Sequence, residues 1–262
     1  MVNDPVLTSN DQTVLSKLFD PESSPNAGVL VDPSLLSDPN IKDVDTLASI
    51  KREEVLVIKS VEQALRDSSS SSRDKQQRLG HAYDRISVLI AVHPNSASLL
   101  NNRAQIFRLQ YGDRQLITPK DTNGSNEIPV LAAVALKDLN EAIRLLTPPN
   151  PQSAVSPSQC RVLAQAHTQR AAMYHATSKT LALQDQGPES VPAMTASGAS
   201  IGNWTMQDFE EAASRDFFMG GRYGNEVGKA LAVHTNPTAK LCGQIVQEAM
   251  RREYASPTPG LG

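Results

Sequence analysis

AYDRISVLIAVHPNSASLLNNRAQIFRLQYGD, residues 82–113, reads as two helices around one short turn. In its first half Ala82, Ile86, Leu89 and Ile90 recur at the spacing that gathers apolar side chains on one helical face. The chain then meets His93-Pro94-Asn95-Ser96, where a proline stops one helix and a cap residue starts the next. In its second half Leu100, Arg103, Ala104 and Phe107 share a face.

Ala82-x3-Ile86 ending at Pro94 matches the second half of a tetratricopeptide repeat, and Leu100-x2-Arg103-Ala104-x2-Phe107 matches the first half of the following one. The spacing agrees, since Pro94 lies 12 residues after Ala82 and six before Leu100. His167-x2-Arg170-Ala171-x2-Tyr174 then repeats the Leu100 register 67 residues after Arg103, which is one repeat plus an equal length of inserted loop. A helical pattern over 44–66 (Leu47, Ile50, Val55, Leu56, Ile58, Val61, Leu65) precedes the Ala82 helix as the first member of a pair should. The expected fold is therefore all-α, a tetratricopeptide repeat α-solenoid of three helix pairs with N-terminal and C-terminal capping helices.

Reading outward, residues 1–43 form an N-terminal arm with one short helix carrying Val14, Leu15, Leu18 and Phe19. Residues 44–215 hold the three repeats, with loops inserted at 67–74, 114–129, 147–157 and 180–203. The second helix of the middle pair spans about Val130 to Leu146, and the last pair uses about Ser158 to Lys179 and Trp204 to Arg215. Residues 216–254 supply two terminal helices, ended and begun around Pro237, that cover the final apolar face. Residues 255–262 read as a disordered tail.

Composition agrees with this reading. Of 262 residues, 39% are hydrophobic and only 4% aromatic, a balance that favours helices over sheet. A formal net charge of −3 makes nucleic acid a poor partner. Cys160 and Cys242 stand far apart in no metal-binding or redox spacing, which fits a reducing compartment. No basic leader precedes an apolar run and no segment suits a membrane span, so the expected compartment is the cytoplasm or nucleus.

Asn10-Asp11-Gln12-Thr13-Val14-Leu15, Asn101-Asn102-Arg103-Ala104-Gln105 with Arg108-Leu109-Gln110, Gln169-Arg170-Ala171, and Asn236-Pro237-Thr238-Ala239-Lys240-Leu241-Cys242 occur in this order. Through these stretches the chain resembles the tetratricopeptide repeat protein 36 family over residues 8–254 apart from the loops. The resemblance implies a small non-enzymatic adaptor with three repeats, associated with chaperones of the seventy-kilodalton heat-shock system and linked to tyrosine breakdown.

Stacked helix pairs line a concave groove with their first helices, and such a groove receives a protein segment. The residues expected there are Glu54, Val57, Asn101, Asn102, Gln105, Arg108, Gln165, Thr168 and Gln169. Amides can pair with a bound backbone and Arg108 with a carboxylate. One repeat subfamily grips a C-terminal carboxylate with Asn and Lys or Arg. Asn102 resembles its middle asparagine, but Glu54, Ile58, Gln165 and Gln169 at the other matching positions bring no cation. Arg103 and Arg170 should instead satisfy carbonyls or a carboxylate across the helix interface. The five histidines, including His167 and His175, have no metal-ligand spacing, and no catalytic motif or cofactor fingerprint occurs. A monomeric adaptor without metal or cofactor is thus the expectation. The competing classes are a homo-oligomeric scaffold, and a helical enzyme or ligand-binding protein whose loops at 114–129 and 180–203 close over a pocket.

Overall fold

The computed structural model describes residues 29–116, 127–184, 201, 204–236, 245–248 and 250–252, and every regular element among them is helical. The expected helix within 8–19, most of the two longest loops and the beginning of the last helix lie outside the described residues. Among the described residues seven helices have both ends defined: α1 Val44–Arg66, α2 Ser72–Val92, α3 Ala97–Tyr111, α4 Glu127–Leu146, α5 Pro157–Gln184, α6 Met206–Arg222 and α7 Glu226–Thr235. Each packs on the next in chain order, and α3 also touches α5.

Local chemistry sets the ends. Asp43 caps α1 by accepting from the Thr46 amide, and the serine run ends in a capping box in which Ser71 and Asp74 satisfy each other's backbone N–H. The helix therefore begins ten residues ahead of Ala82. Thr205 and Asp208 repeat the box at α6. Helix α6 continues past the expected end at Arg215 to Arg222, with Gly220 set against Ala164 and Thr168 of α5 and Gly221 at backbone distance from Lys229 of α7. Gly224, at φ 97°, then turns the chain where a side chain would be strained, and Asn225 caps α7.

The core is continuous from Ile50 and Val57 through Ile86, Leu99 and Phe107 to Leu139, Leu163, Met173, Phe209 and Phe217. Helix α5 buries side chains all round its circumference, as a helix enclosed by α3, α4 and α6 must. The scarce aromatics concentrate where α5 meets α6: Tyr174, Trp204 and Phe209 stand 5.1 to 5.9 Å apart between ring centres.

Arg103 and Arg170 do cross the helix interface to carboxylates. Arg103 on α3 donates to both oxygens of Asp138 on α4, at 2.7 and 2.8 Å, and to Ser87 on α2. Arg170 on α5 donates to both oxygens of Asp216 on α6, at 2.6 and 2.7 Å, and to Asn140 on α4. Each guanidinium thus clasps the second helix of its own pair and that of the preceding pair. In the first pair the same register holds the reversed charges, Glu53 on α1 and Arg85 on α2, 3.2 Å apart and exposed.

A bidentate pair with a nearly buried acid loses most when one member is left alone, by about 3–5 kcal/mol, whereas an exposed pair contributes about 0–1 kcal/mol. Arg170→Met should therefore destabilise the protein by roughly 3 kcal/mol or more in urea unfolding. Arg170→Met with Asp216→Leu should recover most of that loss, and Arg85→Ala should change little. Gly221→Ala would set a Cβ 2.8 Å from the Lys229 Cα, a backbone contact that must shift. It should cost about 1–3 kcal/mol and leave helicity intact.

Candidate functional site

The first helices α1, α3 and α5 present one face to a shared cavity of about 630 Å³. Glu54, Asn101, Asn102 and Gln165 make its floor. They are tied together: Asn102 Nδ2 donates to Glu54 Oε1 at 2.6 Å, Asn101 Nδ2 to Gln165 Oε1 at 3.2 Å, and Gln169 Nε2 to Asn101 Oδ1 at 2.9 Å. Four of the nine residues expected in the groove therefore line it, and Gln169 supports the floor from behind. Asn101 is 1% exposed, so its amide serves the ladder and is closed to a ligand. Asn102 and Gln165 are half-buried and keep an open side.

The other four residues lie elsewhere. Val57 is in the core, because it holds in α1 the register that Phe107 holds in α3 and points at α2. Thr168 donates to the Ala164 carbonyl and meets Gly220 and Gly228 at the α6–α7 contact. Gln105 is exposed but off the cavity. Arg108 is held by Asp113 at 2.5 and 3.2 Å, within its own helix end.

The walls come from residues the pattern did not single out. Leu35, Val55 and Ile58 give one apolar side, and Lys51 and Arg161 bring two cations. Lys51 precedes Val55 by one turn and Arg161 precedes Gln165 by one turn, so a register fixed on Ile50 and His167 would have found both. The arm forms a further wall. Val31 bridges Val155 in parallel, with the Asp32 amide donating to the Val155 carbonyl and the Val155 amide to the Leu30 carbonyl, while Asn40 donates to the Leu145 carbonyl. The inserted link at 147–157 thus has a partner, which is why Val155 and Ser156 are buried.

A second cavity of about 390 Å³ adjoins the first and shares Pro157, Arg161 and Gln165 with it. Cys160 lies there, its thiol donating to the Tyr223 carbonyl and pushed up by burial away from reactive thiolate. His167 is buried with Nδ1 2.8 Å from Asp216 Oδ1. Burial pushes the Asp216 carboxyl up, but Arg170 and His167 prevail and hold it below its ordinary range. This trio is a helix-to-helix clamp that opens on neither cavity. Among the described residues no cluster of His, Cys, Asp and Glu could hold a metal ion, and no helix is long and apolar enough to cross a membrane.

The chain is 37% identical over 260 residues to the L-tyrosine degradation gene cluster protein hmgX of Aspergillus fumigatus, covering 95% of this chain and 94% of that one. It belongs to the hmgX family. Neither a family model nor a solved structure matches it. Likeness to hmgX extends over nearly the whole length, so the arm, the groove and the terminal helices all fall within the shared region.

Glu54 is the titratable group on this hmgX-family floor that burial perturbs. Desolvation raises its carboxyl above the ordinary range against the hydrogen bonds from Ser98 and Asn102 and the charge of Lys51, and Asp38 adds to the rise. A raised folded value means the folded state holds this proton more tightly, so stability falls as pH climbs from the ordinary glutamate range through the raised one. Glu54→Gln keeps an acceptor for Asn102 without the charge. Its melting temperature should exceed that of the native chain at pH 7.5, and the gain should vanish at pH 4. A variant less stable at neutral pH would show instead that Lys51 neutralises the buried charge.

Proposed function

We propose that this protein is a non-enzymatic adaptor built on three tetratricopeptide-type helix pairs, which binds a segment of a partner protein along the α1–α3–α5 face and acts in tyrosine breakdown. The carrying observation is the groove itself, a cavity lined from three first helices whose floor is a bonded amide ladder and whose walls mix aliphatic side chains with cations. Such a floor is rigid and offers Asn102 and Gln165 to a passing backbone.

The repeat reading draws support from register. Ile50, Glu54 and Val57 in α1 align with Leu100, Ala104 and Phe107 in α3 and with His167, Ala171 and Tyr174 in α5. In the second helices Ala82 and Ile86, Ala135 and Leu139, and Ala213 and Phe217 are all buried. The ion pairs Glu53–Arg85, Arg103–Asp138 and Arg170–Asp216 occupy the same place in each pair, as repetition of one unit would give. The tyrosine link rests on the relative, whose name places it in an L-tyrosine degradation gene cluster. The resemblance to tetratricopeptide repeat protein 36 points the same way and adds a seventy-kilodalton heat-shock chaperone as partner. Because the expected clamp positions lack cations, that chaperone would engage through more than its acidic tail.

Lysine-directed cross-linking of the full chain in cells grown on tyrosine should join Lys51, on the groove wall, to one recurrent partner. Val55→Glu with Ile58→Glu should abolish that cross-link and weaken binding of the purified partner at least tenfold, a loss of about 1.4 kcal/mol, with helicity unchanged. Binding that survives the double substitution would move the site off this face. For purified heat-shock chaperone, binding lost simply by deleting its acidic tail would restore the carboxylate clamp.

A further inference from the structure

The two cavities meet at Arg161, and the geometry points to this residue as the anchor for an internal acidic side chain of the bound segment, with aliphatic residues beside it on the α1 side. The inference rests on the groove reading above and deepens it.

Arg161 stands on the first turns of α5, is exposed, and lines both cavities. Among the described residues no carboxylate pairs with it, whereas Arg103, Arg108 and Arg170 on the neighbouring faces are all engaged by aspartates. Lys51 faces the same larger cavity from α1 and forms no ion pair within 4.0 Å among the described residues. Glu54 is the carboxylate in that lining, and it is buried at 8% exposure with an oxygen taken up by Asn102. The cavity is therefore locally cationic in a chain whose formal charge is −3. Charge complementarity selects an acidic occupant, and a guanidinium binds a carboxylate in the two-pronged manner an ammonium does not.

The place of Arg161 decides which carboxylate. It lies between the cavities, so a chain that fills both passes over it and continues in each direction. A chain ending at Arg161 would leave one cavity empty. On the larger side Leu35, Val55 and Ile58 are 42, 46 and 37% exposed, and their contiguous apolar surface suits aliphatic side chains next to the acid. On the smaller side Val31, Ala164 and Gly224 leave a shallower space for small residues.

The test is selection of a randomised segment of about ten residues, displayed between constant flanks, on the full-length protein, a length that spans roughly 30 Å when extended. The selected sequences should carry Asp or Glu at one fixed position with Leu, Ile or Val beside it. A chemically made selected peptide should lose affinity roughly tenfold for Arg161→Ala, the scale of a charge-assisted contact. Selection repeated on Arg161→Glu should replace the acid by Lys or Arg at that position. Since Arg161 is exposed, circular dichroism should be unchanged in both variants. Aliphatic sequences without an acid would overturn the anchor and leave the adaptor reading standing. An acid enriched only as the free terminus, in a second library with random C-terminal residues, would overturn the internal side chain. Enrichment of nothing in either library would overturn both readings.

Discussion

The bidentate contact between an arginine on a first helix and an aspartate on its second helix is the constraint on which the rest of the architecture depends. A planar guanidinium donates to both carboxylate oxygens at once in only a narrow range of orientations, so Arg103–Asp138 and Arg170–Asp216 fix rotation and slide of one helix against another more tightly than aliphatic packing does. The remaining donors reach back to Ser87 and Asn140 on the preceding pair. One side chain therefore sets both the hairpin and its stacking. Apolar residues of similar size could hold the helices as strongly, but they would accept several registers.

Once those registers are set, the opposite sides of α1, α3 and α5 are forced to line up, and the groove follows. Its floor solves a difficulty that stacking creates. Polar side chains brought together and withdrawn from water must pair, and Glu54, Asn102, Asn101, Gln165 and Gln169 do so in a ladder that crosses all three helices. One atom is left over: Gln169 Oε1 is buried without a hydrogen-bond partner. Such an orphan costs about 1–3 kcal/mol. The same side chain's Nε2 is the group that holds Asn101. The floor is thus tied up within the fold, and the side chains left exposed around it are Lys51, Val55, Ile58 and Arg161.

The arm shows how an irregular segment can be anchored with few contacts. Residues 29–42 lie across the open side of the pairs, held by the exchange of backbone hydrogen bonds with Val155 and by Asn40 on the Leu145 carbonyl. Asp32 and Asp38 stiffen it by accepting from the backbone two residues on, at Ser34 and Asn40. Leu30, Val31, Leu35 and Leu36 stay exposed along it. The arm therefore adds apolar surface to the groove wall and buries little of its own.

Helical periodicity, caps and breakers determined by themselves the all-helical class seen among the described residues, where most of those helices lie, and that Arg103 and Arg170 must satisfy carbonyls or a carboxylate across the helix interface. These are local matters: the spacing of Ala82, Ile86 and Ile90, the cap before Ala97 and the cost of an unpaired buried charge act within one or two turns. The same reading placed four of nine groove residues on the floor, and misplaced Val57 and Thr168 because one residue of helical rotation separates the groove from the interior. Only the tertiary structure decided that Arg108 is spent on Asp113, that the amides bond to one another, that the arm crosses to Val155, and that Lys51 and Arg161 hold the free charge at the groove. Each of these depends on residues tens of positions apart meeting in space, and a side chain's freedom to bind is whatever its neighbours in the fold leave unused.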